Sequence, residues 1–135
     1  MTEVRRSYRT PLARARGSGS AKHGVTRFIG ERVSSIALVF LMLWGVWSAL
    51  KLAPVGYVGA VAWLHSPVHA TLLVLLLATG FYHTELGMRV IIEDYIHVAR
   101  NKALLLILNT FVAYAALVLA VLSVLKVAFT PLGAV

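Results

Sequence analysis

Six residues able to carry charge or donate a proton fall between His83 and Tyr95, in a stretch that is otherwise apolar: His83, Glu85, Arg89, Glu93, Asp94 and Tyr95. Ionisable side chains inside a membrane span cost roughly 2.5–3.5 kcal/mol each on insertion scales, so they mark function by default. On a helix of 3.6 residues per turn, His83 and Asp94 lie on nearly the same face, roughly 16 Å apart along the axis. Gly80 and Gly87, at i−3 and i+4 from His83, share that face. Glycines flanking a histidine leave a shallow trough where a large flat ligand can approach. A histidine deep in a span beside small residues suits an axial haem ligand. The same histidine also suits a hydrogen bond to a neighbouring helix, or a gate on a proton path.

Asp94 and Tyr95 end the same helix. A tyrosine hydroxyl can donate to a carbonyl at the membrane boundary, and a nearby carboxylate can tune it or relay protons. The plainer reading is a tyrosine of the aromatic belt and an acid that ends a hydrophobic run. Arg32, at the entrance to the first apolar run, can hold a carboxylate in a bidentate fork, including a haem propionate. By itself it reads first as a positive-inside anchor. Glu85 and Arg89, at i and i+4, read as a pair that lowers the burial cost of both. The remaining histidines are weaker candidates. His65 and His69 flank Pro67 at an interface, His97 follows Asp94-Tyr95, and His23 lies in the N-terminal tail.

Composition limits the chemistry further. The 135 residues contain no cysteine, which excludes disulfides, thiolate metal sites and a cysteine nucleophile. Redox chemistry therefore needs a borrowed cofactor. The chain is 59% hydrophobic and 13% charged, where soluble domains are about a quarter charged. A soluble core of this size cannot hide so much apolar surface, so lipid is part of the solvent. The net charge of +8 does not read as nucleic-acid binding, because eight of the thirteen Lys and Arg residues lie at or before Arg32. Such a cluster is the cytoplasmic flank of a first span, and it suits anionic headgroups.

The expected fold is an all-α membrane protein with three transmembrane helices. Residues 1–22 read as a flexible basic tail, and 23–135 as a three-helix membrane domain. Spans are expected at about 33–52, 67–92 and 103–129, each near or above the ~20 residues that cross the hydrocarbon. Residues 58–65 read as a short interfacial helix with Trp63 at headgroup depth. The Lys and Arg counts put the N-terminus and the second connection in the cytoplasm and the C-terminus outside. A secretory signal is not expected, because the basic region is long and the following apolar run is span-length. The Arg- and Ser-rich start, with Glu3 as its sole acid, keeps a mitochondrial transit segment as an alternative. The expected location is the bacterial inner membrane, with the mitochondrial inner membrane as the alternative.

The segment from His83 through Gly87-Met88 to Asp94-Tyr95 resembles the signature of the hydrophobic membrane anchor of succinate dehydrogenase, the D-type subunit of respiratory complex II. Gly24-Val25, Phe28 and Arg32 resemble that family's approach to its first span. The resemblance implies that His83 is an axial ligand to the iron of haem b, the second coming from a C-type cytochrome b subunit. It implies that Tyr95 hydrogen-bonds the ubiquinone head group beside Asp94, and that Arg32 lies close to the haem propionates. Some members carry a histidine two residues after the Gly-Val pair, where this chain has Thr26. The implied enzyme oxidises succinate in a flavoprotein subunit and passes electrons through an iron–sulfur subunit. This chain would anchor them without binding succinate. The competing reading is a non-redox membrane subunit with a proton or ion relay through His83, Glu85 and Arg89. A third is an anchor with a quinone site and no haem.

Overall fold

The computed structural model describes residues 10–17 and 24–131. His23 and most of the basic tail lie outside the described residues. Within that tail, Pro11–Arg16 forms a short helix, α1, where the sequence reads as a flexible segment. Its first turn is capped by the Thr10 hydroxyl, which accepts from the Ala13 amide at 3.2 Å.

Four further helices follow: α2 (Gly24–Leu52), α3 (Gly56–Leu64), α4 (Pro67–Tyr95) and α5 (Ala99–Phe129). The breaks have local causes. After α2, Pro54 and Gly56 interrupt the helix, and Gly56 takes a φ of +72° that other residues adopt at a cost. Ser66 is extended, as a residue before proline tends to be, and Pro67 opens α4 where its missing amide is not needed. The link between α4 and α5 is extended at both Ile96 and Val98.

The helices α2, α4 and α5 have 29, 29 and 31 residues and are long and apolar enough to cross a membrane. At 1.5 Å per residue they measure roughly 44–46 Å, close to a bilayer with its headgroups. The expected spans lie inside them. However, α2 begins at Gly24 rather than near residue 33, α4 continues to Tyr95, and α5 begins at Ala99. Hydropathy reports where hydrocarbon begins, whereas the helical backbone continues through the headgroup layer, where charged side chains are tolerated. The short helix expected at 58–65 is α3.

Helix α4 is central. It packs against α2 on one side and α5 on the other, while α3 touches all three. Among the described residues α2 and α5 make no contact with each other. The buried set is small and half polar: Val61, Ile92 and Val124 with Ser34, Ser48 and Glu85. Large apolar residues such as Phe40, Leu50, Ile107 and Phe111 face outward. This arrangement suits lipid, where close packing and interhelical hydrogen bonds replace the hydrophobic drive between helices.

Candidate functional site

The two seams of α4 carry different chemistry. On the α2 side, the helices run antiparallel and approach closely at small residues. A Cβ at Gly30 would meet the Tyr82 side chain, and one at Gly45 would meet Leu76. This approach brings Ser34 of α2 to His83 of α4, with Oγ 2.9 Å from Nδ1. Ser34 is only 4% exposed. His83 is half-buried, near the middle of α4. Toward the end of the seam, Arg27 Nη1 donates to both carboxylate oxygens of Glu93, at 3.0 and 3.1 Å. The Glu93 carbonyl in turn accepts from Lys102 Nζ at 2.7 Å, which ties the end of α4 to α5.

The trough expected beside His83 is present in part. At Gly87 the space is open, whereas Leu38 of α2 stands at contact distance from Gly80. A second trough of about 570 Å³ opens on the other side of the seam, between Thr26, Gly30 and Ser34 of α2 and Ala78, Thr79 and Tyr82 of α4.

On the α5 side, Glu85 is 4% exposed, and one carboxylate oxygen gathers its side-chain contacts. Its Oε1 accepts from Arg89 Nε at 3.1 Å, from Arg89 Nη2, and from the Thr110 hydroxyl at 2.9 Å. Arg89 Nη2 also donates to Thr110 Oγ1 at 3.0 Å. The Glu85 carbonyl accepts from Asn109 Nδ2 at 3.0 Å. The i,i+4 pair expected from the sequence forms, and it serves as the polar clasp between α4 and α5. It does not join His83. Two positions along a helix turn the side chain by roughly 200°, so His83 faces α2 while Glu85 faces α5. The relay expected as an alternative is therefore split between two seams.

Asp94 and Tyr95 close α4 and are exposed, Tyr95 by 76%. His97 Nδ1 donates to the Tyr95 carbonyl at 3.0 Å. Arg32 is exposed, and its guanidinium lies 5.1 Å from the centroid of the Phe28 ring. It stands two positions before Ser34, so it faces away from α4 and from His83.

His65 and His69 are absorbed into structure at the opposite end of the helices. His65 Nδ1 meets the Val61 carbonyl at 2.8 Å, and Nε2 meets the Thr130 carbonyl at 2.7 Å. Two carbonyls facing two ring nitrogens favour the protonated ring. The Val61 bond first, then that to Thr130, raises the His65 pKa above its ordinary 6.5. His69 stacks on Trp63 with centroids 4.2 Å apart, and Trp63 stacks on Trp44.

Sequence reasoning missed Ser34, Arg27, Lys102 and Thr110 as partners of the polar cluster. One signal was available. Arg27 and Ser34 are seven positions apart on one face of α2. Glu93 and His83 stand ten apart on α4, a longer rise than the seven positions on α2, and the long Arg27 and Glu93 side chains make up the difference.

Residues 6–126 match the family described as the succinate dehydrogenase/fumarate reductase transmembrane subunit. The chain belongs to this family. Similar proteins include the succinate dehydrogenase hydrophobic membrane anchor subunit of Rickettsia bellii, 33% identical over 74% of this chain and 80% of that protein. The subunit of the same name from Rickettsia felis is 30% identical over 84% of this chain and 92% of its own length. No solved structure matches significantly. With its three apolar helices, the chain is thus a multi-pass membrane subunit of the succinate dehydrogenase/fumarate reductase family.

The donor set can be tested against haem, the group the resemblance implies. Among the described residues no cluster of three or more His, Cys, Asp or Glu side chains could hold a metal ion. His83 is a single half-buried imidazole in mid-span, and its Nδ1 is held by Ser34. One available nitrogen fits one axial position. The residues therefore fit a haem whose other ligand comes from elsewhere.

Proposed function

We propose that this chain is the membrane anchor of a succinate:quinone oxidoreductase in the bacterial inner membrane, and that it shares a haem b and one wall of a ubiquinone site. The observation that carries this reading is the mid-span placement of His83, with one ring nitrogen engaged and the other available, in a member of this family. The N-terminus and the α4–α5 connection face the cytoplasm, in keeping with the Lys and Arg distribution. The partners are a C-type cytochrome b subunit that supplies the second axial histidine, an iron–sulfur subunit and a flavoprotein subunit. Succinate oxidation belongs to the flavoprotein, so this chain is a non-catalytic subunit of the enzyme.

His83 would hold the haem iron, its Nδ1 being engaged by Ser34. Haem supplies a one-electron redox centre inside the low-dielectric interior of the membrane. Tyr95 would donate its hydroxyl hydrogen to a quinone carbonyl, and Asp94 would be the neighbouring carboxylate for proton exchange as quinone takes two electrons and two protons to become quinol. The exposure of Tyr95 leaves that ring free for a ligand and a second chain. The Arg27–Glu93 and Lys102–Glu93 contacts position the helix end that presents both residues. Arg32, exposed and stacked on Phe28, would hold a haem propionate only if one reached its side of α2.

Two variants of the purified complex test the proposal. His83→Ala should abolish or alter the reduced-minus-oxidised haem spectrum; an unchanged spectrum rejects the ligand. Tyr95→Phe should impair quinone reduction by about a hundredfold or more, within the 10²–10⁴ range of general acid–base groups. Succinate oxidation by artificial acceptors should persist, and equal loss of both activities rejects the quinone role.

A further inference from the structure

We infer that Ser34 is a positioning residue for the haem ligand: its buried hydroxyl holds His83 as the Nδ1–H tautomer, turns Nε2 toward the iron, and sets the redox potential of the haem. This rests on the haem reading of His83 above, and it adds a residue of the first span that the sequence did not single out.

A serine hydroxyl has one hydrogen and two acceptor lone pairs. The Ser34 hydrogen points back along its own helix to the Glu31 carbonyl, 3.0 Å away. This is the i−3 back-bond that serine commonly makes within helices. Its lone pairs then face His83 Nδ1 at 2.9 Å. A bond there requires the hydrogen to sit on Nδ1. The neutral ring has one N–H and one lone pair, so Nε2 carries the lone pair. Metal-bound histidines in general donate their other N–H to a fixed acceptor, which orients the ring and raises its basicity.

The surroundings make this contact consequential. Ser34 is 4% exposed, so water does not compete for its hydroxyl. The close α2–α4 approach at Gly30, where a Cβ would meet Tyr82, keeps the two side chains in register. Donation from Nδ1–H to oxygen leaves more electron density on the ring and so on the iron, which favours the oxidised haem. Loss of the acceptor therefore raises the midpoint potential and weakens haem retention.

The four-subunit complex is the material for the test. Ser34→Thr keeps the hydroxyl, Ser34→Cys nearly keeps the shape with a weak acceptor, and Ser34→Ala removes the acceptor. The measurements are haem content, the midpoint potential by redox titration, and the low-spin electron paramagnetic resonance signal. The threonine variant should keep the native potential and signal. The cysteine and alanine variants should shift the potential upward, change the largest g value, and lose haem tenfold to a hundredfold more readily, the range for such outer partners. If Ser34→Ala does not assemble, the cysteine variant carries the same expectation. An unchanged potential and signal in the cysteine and alanine variants overturns the inference, and so does a downward shift, which would mean that the hydroxyl donates to Nδ1. His83→Ala measured alongside separates the two levels. Loss of haem there with no effect at Ser34 sinks the positioning role alone, whereas retention of a native spectrum sinks the ligand itself.

Discussion

Replacing Arg89 with leucine should destabilise the α4–α5 pair far more than replacing both members of the clasp. In the native fold the Glu85 side chain is 6% exposed and the Arg89 side chain 26%. Glu85 Oε1 takes Nε and Nη2 of Arg89 and the Thr110 hydroxyl. Removing Arg89 leaves a buried carboxylate with one neutral donor. Breaking a buried pair in this way costs about 3–5 kcal/mol. Interhelical hydrogen bonds in membranes average only about 0.6 kcal/mol, so losing the Arg89–Thr110 bond is the minor part. Replacing both Glu85 and Arg89 with leucine removes the orphan charge, and such apolar replacements are often neutral; the double variant should fall within about 1 kcal/mol of native. Glu85→Leu alone should cost less than Arg89→Leu, because the more exposed guanidinium can reach headgroups or water. Equilibrium unfolding in mixed micelles, followed by circular dichroism, measures all four proteins. A double variant as unstable as Arg89→Leu would refute the clasp, and so would a larger loss for Glu85→Leu than for Arg89→Leu.

Two further outcomes are expected. The His65 tie between the start of α4 and the end of α5 should loosen with rising pH. Its folded pKa lies above 6.5, so its contribution is fully present below 6.5 and is lost as pH rises through the higher folded value. The protection factor near Thr130, the exchange rate relative to the intrinsic rate at each pH, should fall over that window, and His65→Ala should remove that fall; protection that rises with pH relative to the alanine variant contradicts the tie. Arg27→Ala should cost no more than about 1 kcal/mol, because both partners are substantially exposed. The difference from native should shrink at high salt; a larger, salt-independent loss would mean that the pair is shielded by a partner chain.

Much of the fold is legible in the residues. Three long apolar runs place three helices, and Pro54, Gly56 and Pro67 mark where the chain turns. The helix ends were not legible from hydropathy, because Gly24–Glu31 and Glu93–Tyr95 are polar enough to leave hydrocarbon yet remain helical. Relative angles along α4 were also legible. His83 and Asp94 had to share a face, and Glu85 had to point elsewhere, because 3.6 residues per turn fixes those angles in any helix. By the same rule the Glu85–Arg89 pair could be expected before any neighbour was known.

Tertiary structure decided what each face meets. Periodicity orders side chains around one helix but says nothing about which helix lies opposite or at what height. Only the central place of α4 assigns His83 to α2 and Glu85 to α5. Only the antiparallel register puts the Ser34 hydroxyl on His83 Nδ1 and Arg27 on Glu93. Arg32 turns away for the same reason, since Ser34, two positions on, is committed to the seam. The sequence by itself determined a costly histidine in mid-span and a polar pair at the helix end. The packing of α2 on α4 determined which nitrogen of that histidine is held and which is available.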